Sequence, residues 1–314
     1  MTGKPCQITC HGKAGGPCWQ ARQPFSSRAL KKQYHTHFGN VDISKQVSSK
    51  FQRIVAAAEG GSLGEPPKFP KNSAEVIQQA YKSSKAAWNA GIKRQKMDFI
   101  LPLIGATDID DWPGGIRQQF KAAQPMVEDL LVQLKQLPGL EGSLDAKIID
   151  DADAVGAWQS DKLGLILFPT AETLGAVRKI AENKQNEMTI IVNPQWTTEG
   201  QVISDFGVLP WVRAPALELV RSFQDTYIAR QLRINGDNTR WLYSYPHGWQ
   251  ISVVRGPKEM TTIMTTDSKP TYKEVENALR KLPWTMSSKG LLDRIQAEAE
   301  FNRKSLESLP PQND

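Results

Sequence analysis

The run MTIIVNP at residues 188–194 constrains the fold more than any other stretch of this chain. Its apolar, β-branched residues follow one another without the in–out alternation of a half-exposed strand. Such a strand is stable only in a sheet covered on both faces, which is the habit of α/β proteins. Two further apolar runs, AKIID at 146–150 and LGLILFP at 163–169, read the same way and are joined by DADAVGAWQSD.

Helical signals alternate with these strands. Asn72 followed by Glu75 fits a capping box, and Val76, Ile77, Ala80, Tyr81, Ala87 and Trp88 form one apolar face, with Gly91 placed for a left-handed helix end. IKRQKMDFILP then alternates through Met97, Phe99 and Leu101 as a strand. Apolar residues recur from Ile116 to Leu137 at spacings of three and four, and Pro125 within them predicts a kink or two abutting helices. Thr170 is expected to cap a helix running to about Asn183, and Pro215 to start another.

After residue 224 the style changes. TYIARQLRI, TRWLYSYP and WQISVVRG read as three strands, the first pair joined at an Asn-Gly turn and the second at Pro246-His247-Gly248. A helix over 271–282 and a moderately amphipathic C-terminal helix complete the chain. The fold expected is α/β: a mostly parallel sheet with helices on both faces, Rossmann-like and three-layered, ending in an antiparallel meander.

The first 58 residues are different in kind. They hold nine basic residues, the single acid Asp42 and eight Ser or Thr, whereas residues 59–314 carry 30 basic and 32 acidic residues. The net charge of +6 therefore belongs to the head. A basic, hydroxyl-rich, acid-poor segment without an apolar core has the make-up of an organellar transit peptide. The expected organisation is a transit peptide over 1–58, cut near Ala57, and a Gly/Pro-rich linker over 59–71. One α/β domain over 72–285 follows, then a C-terminal helix and polar tail over 286–314. Cys6, Cys10, His11, Cys18, His35 and His37 offer zinc-compatible ligands, but they lack a C-x2-C pair and leave with the leader. His247 is then the only histidine of the mature chain.

A near-neutral mature chain has no electrostatic footprint for nucleic acid. No apolar run approaches the ~20 residues that span a bilayer. There is no P-loop, no G-x-G-x-x-G and no G-x-S-x-G elbow between a strand and a helix, the GGSLG of residues 60–64 lying in the Gly/Pro-rich linker, so the common nucleotide, dinucleotide and hydrolase signatures are missing. In open α/β sheets ligands collect beyond the carboxyl ends of the strands. Asp150, Asp151, Asn193, Gln195 and Trp196 stand there, with Asp205 in the loop that follows. These six are the candidate ligand- or partner-binding residues. The competing assignment makes Asn193 and Pro194 a chain turn and Asp150 a cap. Asp108, Asp110, Asp111 and Asp153 are better explained as caps than as cation ligands, and His247 as a turn residue. No catalytic residue, metal or cofactor is assigned.

The stretches NSAEVIQQAYKSSKAAWNAGIKRQKMDFILPLIGATDIDDWPGGIRQQF, LGLILFPTAE and IIVNPQW with its following DFG resemble a family of plastid and cyanobacterial proteins catalogued as a domain of unknown function. Its plant members include the low-photosystem-II-accumulation assembly factors, and a related domain is appended to a chloroplast adenylate kinase. The resemblance spans roughly residues 70 to 255. It implies a chloroplast protein, in the stroma or peripheral to the thylakoid. Such a protein would assist photosystem II assembly through contacts with photosystem subunits or assembly factors, without catalysis. The adenylate kinase appendage motivates the alternative, a nucleotide- or phosphometabolite-binding enzyme using the loops at the strand ends.

Overall fold

Nine strands and six α-helices are built by residues 65–102, 115–196, 210–256 and 259–307, which the computed structural model describes. The expected transit peptide, the first part of the linker, the acids of 108–111 and Asp205 lie outside these residues.

Helix α1 (Ser73–Asn89) starts as its sequence requires: the Asn72 side chain accepts from the Glu75 amide at 2.9 Å, and Glu75 accepts from the Lys71 amide at 2.9 Å. It ends with Gly91 at φ +80°, where the Gly91 amide reaches Trp88 and the Ile92 amide reaches Ala87, a Schellman pair of bonds. Strand β1 (Arg94–Asp98) follows. Helix α2 (Gly115–Leu134) runs unbroken through Pro125. The prolyl ring is exposed, and Ala123, Met126, Val127 and Leu130 are buried on either side of it, so packing holds the helix together where the expected break would fall.

Strands β2 (Asp145–Asp150), β3 (Val155–Gln159) and β4 (Leu163–Leu167) lead to helix α3 (Leu174–Ala181) and strand β5 (Met188–Val192). Helix α4 spans Pro210–Ser222, so Pro215 lies inside it and not at its start. The antiparallel part comprises β6 (Gln224–Ile234), β7 (Asp237–Ser244), β8 (Gly248–Gly256) and β9 (Glu259–Thr266). Helix α5 (Tyr272–Arg280) starts with a capping box at Thr271 and Glu274, and helix α6 (Leu291–Glu307) ends the described chain.

The strand order is β2-β3-β4-β5-β1-β6-β7-β8-β9. Three neighbouring pairs are parallel, β4 with β5, β5 with β1 and β1 with β6, and the other five are antiparallel. The expectation of a mostly parallel sheet is therefore corrected: the parallel strands form the centre, and antiparallel strands extend it on both sides. Two of these strands, β3 and β9, are absent from the sequence-based reading. β3 is poor in β-branched residues because it packs tightly: a Cβ at Gly156 would come within 2.8 Å of the Phe120 ring. β2, expected to be buried, is a largely exposed edge strand, with Ile148 55% accessible.

Burial follows the pleat. Leu163, Leu165 and Leu167 of β4, Met188, Ile190 and Val192 of β5 and Met97 of β1 meet α1 and α2 on one face. Ile166 and Ile191 meet α3 and α4 on the other face, where α5 covers Trp241, Trp249 and Ile251 further along the sheet. Burying a side chain of this size contributes about 1.5–3 kcal/mol. The described end of the expected linker also belongs to this packing. Phe69 is buried, the Pro67 carbonyl accepts from Gln250 at 3.1 Å, and the Lys68 carbonyl accepts from Gln79 at 2.9 Å.

Candidate functional site

Strand connections leave β1 and β5 in opposite directions along the sheet, so the carboxyl ends of these two neighbours form the crevice where ligands of open α/β sheets collect. Asn193 closes it. Its backbone is left-handed at φ +47°, and its side chain pairs with Phe99, Oδ1 accepting from the amide at 2.7 Å and Nδ2 donating to the carbonyl at 2.9 Å. The Asn193 amide also donates to the Met97 carbonyl at 2.9 Å. Gln195 repeats the pattern: Nε2 donates to the carbonyls of Phe168 at 3.0 Å and Asp153 at 2.8 Å, and its amide to Pro169 at 3.0 Å. Trp196 is buried in the cluster of α3 and α4.

The acids stand apart from this tie. Asp150 Oδ1 accepts from the amides of Ala152 at 2.9 Å and Asp153 at 3.3 Å, which makes it the turn residue between β2 and β3. Asp151 is exposed and bridges Arg117 at 2.9 Å. The structure thus gathers Asn193, Gln195 and the 150–153 turn along one end of the sheet, joined through the Gln195–Asp153 bond. The hydrogen bonds of Asn193, Gln195 and Asp150 go to main-chain groups.

Titratable groups cluster elsewhere, on the α3–α5 face at β1 and β6, between the strands covered by α3 and α4 and those covered by α5. Asp98, at the end of β1, meets Arg230 of β6 at 2.6 Å, and Lys96 meets Asp225 at 2.7 Å. Burial pushes the Asp98 carboxyl above its ordinary value and outweighs the opposing pull of Arg230 and Lys96. Lys269 is lowered by burial beside the same groups, and its ammonium sits 5.8 Å from the Trp249 ring centroid. His247 is lowered by partial burial and donates its amide to Ser244 at 2.6 Å, the turn role expected for it. Among the described residues no three His, Cys, Asp or Glu side chains gather to hold a metal, and no helix is long and apolar enough to cross a membrane.

A groove of about 830 Å³ opens at the same end of the sheet, on the α1 face. Its walls are the start of α1 with the preceding Phe69, the residues Ile100–Pro102 that follow β1, and the β7–β9 surface at Arg240, Val254 and Met260. These residues escape a sequence-based search. Arg240 alternates with Trp241 and Tyr243 like any outward residue of a strand, and nothing local shows that Phe69 will lie over it.

No curated protein and no solved structure matches this chain. Residues 70–277, which contain the whole nine-stranded sheet, its described crevice and the described groove lining apart from Phe69, match one family, and the chain belongs to it: the domain of unknown function DUF1995.

Proposed function

We propose that this chain is a non-enzymatic chloroplast protein that assists photosystem II assembly or accumulation through protein contacts. Within its family it sits with the low-photosystem-II-accumulation factors, and it works in the stroma or at the thylakoid surface. In this reading the three-layer, Rossmann-like stacking of helices over the sheet centre is scaffold, and no cofactor takes part. The observation that supports binding over catalysis is the fate of the crevice residues. Asn193 and Gln195, the groups best placed to touch a substrate, are tied to the backbone of Phe99, Phe168 and Asp153. A surface for a protein partner is at hand in α6, whose Leu291, Leu292 and Ile295 are 64, 81 and 57% accessible.

The test is a knockout line followed under low, fluctuating and high light, with photosystem levels and chlorophyll fluorescence as readouts. Lowered photosystem II accumulation, restored by the wild-type chain, is expected. Normal photosystem levels under all three regimes refute the proposal. Amino-terminal sequencing of the protein from isolated plastids should find a start near residue 58; a start at Met1 in the cytosol removes the premise.

A further inference from the structure

The antiparallel strands β6–β9 carry four arginines, and three of them have acids: Arg230 pairs with Asp98, Arg233 with Glu298 and Arg255 with Glu259. Arg240 is the exception, with no carboxylate partner among the described residues. It stands on β7 in register with Gln231 and Ser252, part-buried, and its Nε atom is buried without a hydrogen-bond partner. Its guanidinium carbon lies 5.0 Å from the centroid of the Phe69 ring. That stacking accounts for where the side chain lies, yet it takes none of the five donors a guanidinium carries. A buried donor without an acceptor is unfavourable, so an oxyanion that meets the fork gains from an Nε already desolvated and a side chain already held in place.

The rest of the groove is of the opposite character. Val76 of α1, Leu101 and Pro102 beyond β1, and Val254 and Met260 of the sheet give it apolar walls. Lys71 adds a second cation at the rim, and the single acid among the described lining residues, Glu259, is held by Arg255 at 2.9 Å. Helix α1 contributes wall and not charge, because Asn72 and Glu75 already serve the amides at its start. A volume of about 830 Å³ falls within the ~300–1,000 Å³ of small-molecule sites.

We propose that this groove binds a small amphiphilic anion, a molecule with one phosphate or carboxylate head received by Arg240 and an apolar body lying along Val76, Leu101, Val254 and Met260. A neutral amphiphile leaves the guanidinium unmatched, and a bare inorganic anion leaves the apolar walls unmatched. The binding does not depend on the photosystem reading, and either can fail alone.

The probes are dodecyl phosphate and dodecanoate below their micelle concentrations, titrated into the full chain by calorimetry with native mass spectrometry for stoichiometry. Dodecanol and inorganic phosphate are the matched half-molecules. One-to-one binding of at least one dodecyl anion is expected, with both half-molecules at least tenfold weaker. Arg240→Gln should weaken the anion at least tenfold, and Arg240→Lys should fall between. A side chain at Gly256 would point into open space, since a Cβ there meets nothing within 4 Å. Gly256→Leu should therefore obstruct the groove with Arg240 intact and weaken binding to a similar degree. It decides the matter if Arg240→Gln fails to fold. Unchanged affinity in a folded Arg240→Gln or in Gly256→Leu, equal binding of dodecanol, equal binding of inorganic phosphate, or no binding of either anion overturns the proposal. Phosphatidylglycerol vesicles separate the sources. Capture of vesicles together with the monomers supports the groove with a bilayer lipid as its source, and monomers alone support it with a free metabolite. Vesicles without monomers place the affinity on a bilayer surface and overturn it.

Discussion

Asn193 offers a measurement that separates a structural tie from a binding residue. In Asn193→Gly the left-handed backbone at φ +47° is kept without strain, while the bonds of 2.7 and 2.9 Å to the Phe99 amide and carbonyl are lost. Phe99 is 4% exposed, so both main-chain groups are left poorly solvated. At about 1–2 kcal/mol for each orphaned group, Asn193→Gly should cost about 2–4 kcal/mol. Asn193→Ala loses the same bonds and also holds a Cβ in the left-handed region, which adds about 1–2 kcal/mol. The assay is urea unfolding of the full chain followed by tryptophan fluorescence, with each variant's slope compared to the parent to confirm that the midpoint shift is one of stability. Two results refute the reasoning. A loss below 1 kcal/mol in Asn193→Gly means that the tie does not hold β1 to β5. Equal losses in Gly and Ala mean that the backbone conformation is not what selects asparagine.

Three further outcomes test other parts of the structure. A Cβ at Gly164 would stand 2.5 Å from Ile180 Cγ2, so Gly164→Ala should destabilise by about 1–3 kcal/mol through overpacking of α3 on β4; a thermal scan showing no loss refutes that packing. Asn72→Ala removes the side-chain cap of α1 and should cost about 1 kcal/mol by urea unfolding, with Asn72→Asp close to neutral. Burial raises the Asp98 carboxyl in the folded chain, so folding binds this proton more tightly. The associated stability is full below the unfolded carboxylate value near pH ~4 and is lost as the pH rises through the folded value. Asp98→Asn should therefore gain on the parent as the pH climbs, and a difference that shrinks with rising pH refutes the assignment.

Local signals carried much of the fold. Asn72, Glu75 and Gly91 fix α1 at both ends, Asn235 at φ +49° and Gly236 at φ +91° make the β6–β7 hairpin, and MTIIV is buried at every position. What failed depends on distant partners. VGAWQ becomes a strand because Phe120 needs the space over Gly156, a requirement written some 35 residues earlier in the chain. EMTTIMTT shows little apolar pattern because β9 is a half-exposed edge whose bonds come from β8. Parallel and antiparallel pairing could not be read because order in a sheet is a property of contacts far apart in sequence. The site divides in the same way. The position of Asn193 at a strand end is legible, but its partner Phe99 is 94 residues away, and only that pairing turns a candidate ligand into a clasp.

The position of the groove follows from the mixed sheet itself. Asp98, the last residue of β1, pairs with Ile228, while β6 continues to Ile234. Six residues at about 3.3 Å each carry the antiparallel strands roughly 20 Å beyond the end of the parallel ones. A purely parallel sheet would leave only the crevice between β1 and β5, and here Asn193 occupies it. The overhang supplies a second concavity, because the projecting face of β7–β9 stands opposite the start of α1 and the chain leaving β1. Clasping the crevice and opening the groove are thus two results of one arrangement: the clasp holds β1 rigidly against β5, and β1 in turn fixes the height at which Ile100–Pro102 forms the groove wall. Asn193→Gly should on this argument loosen ligand binding in the groove although Asn193 lies outside its lining, whereas Gly164→Ala, a strain placed on the opposite face, should destabilise the fold and leave the groove's affinity unchanged. Dodecyl phosphate titrations of the two variants under conditions where both are folded give the comparison, and equal affinities in the two would break the link between clasp and groove.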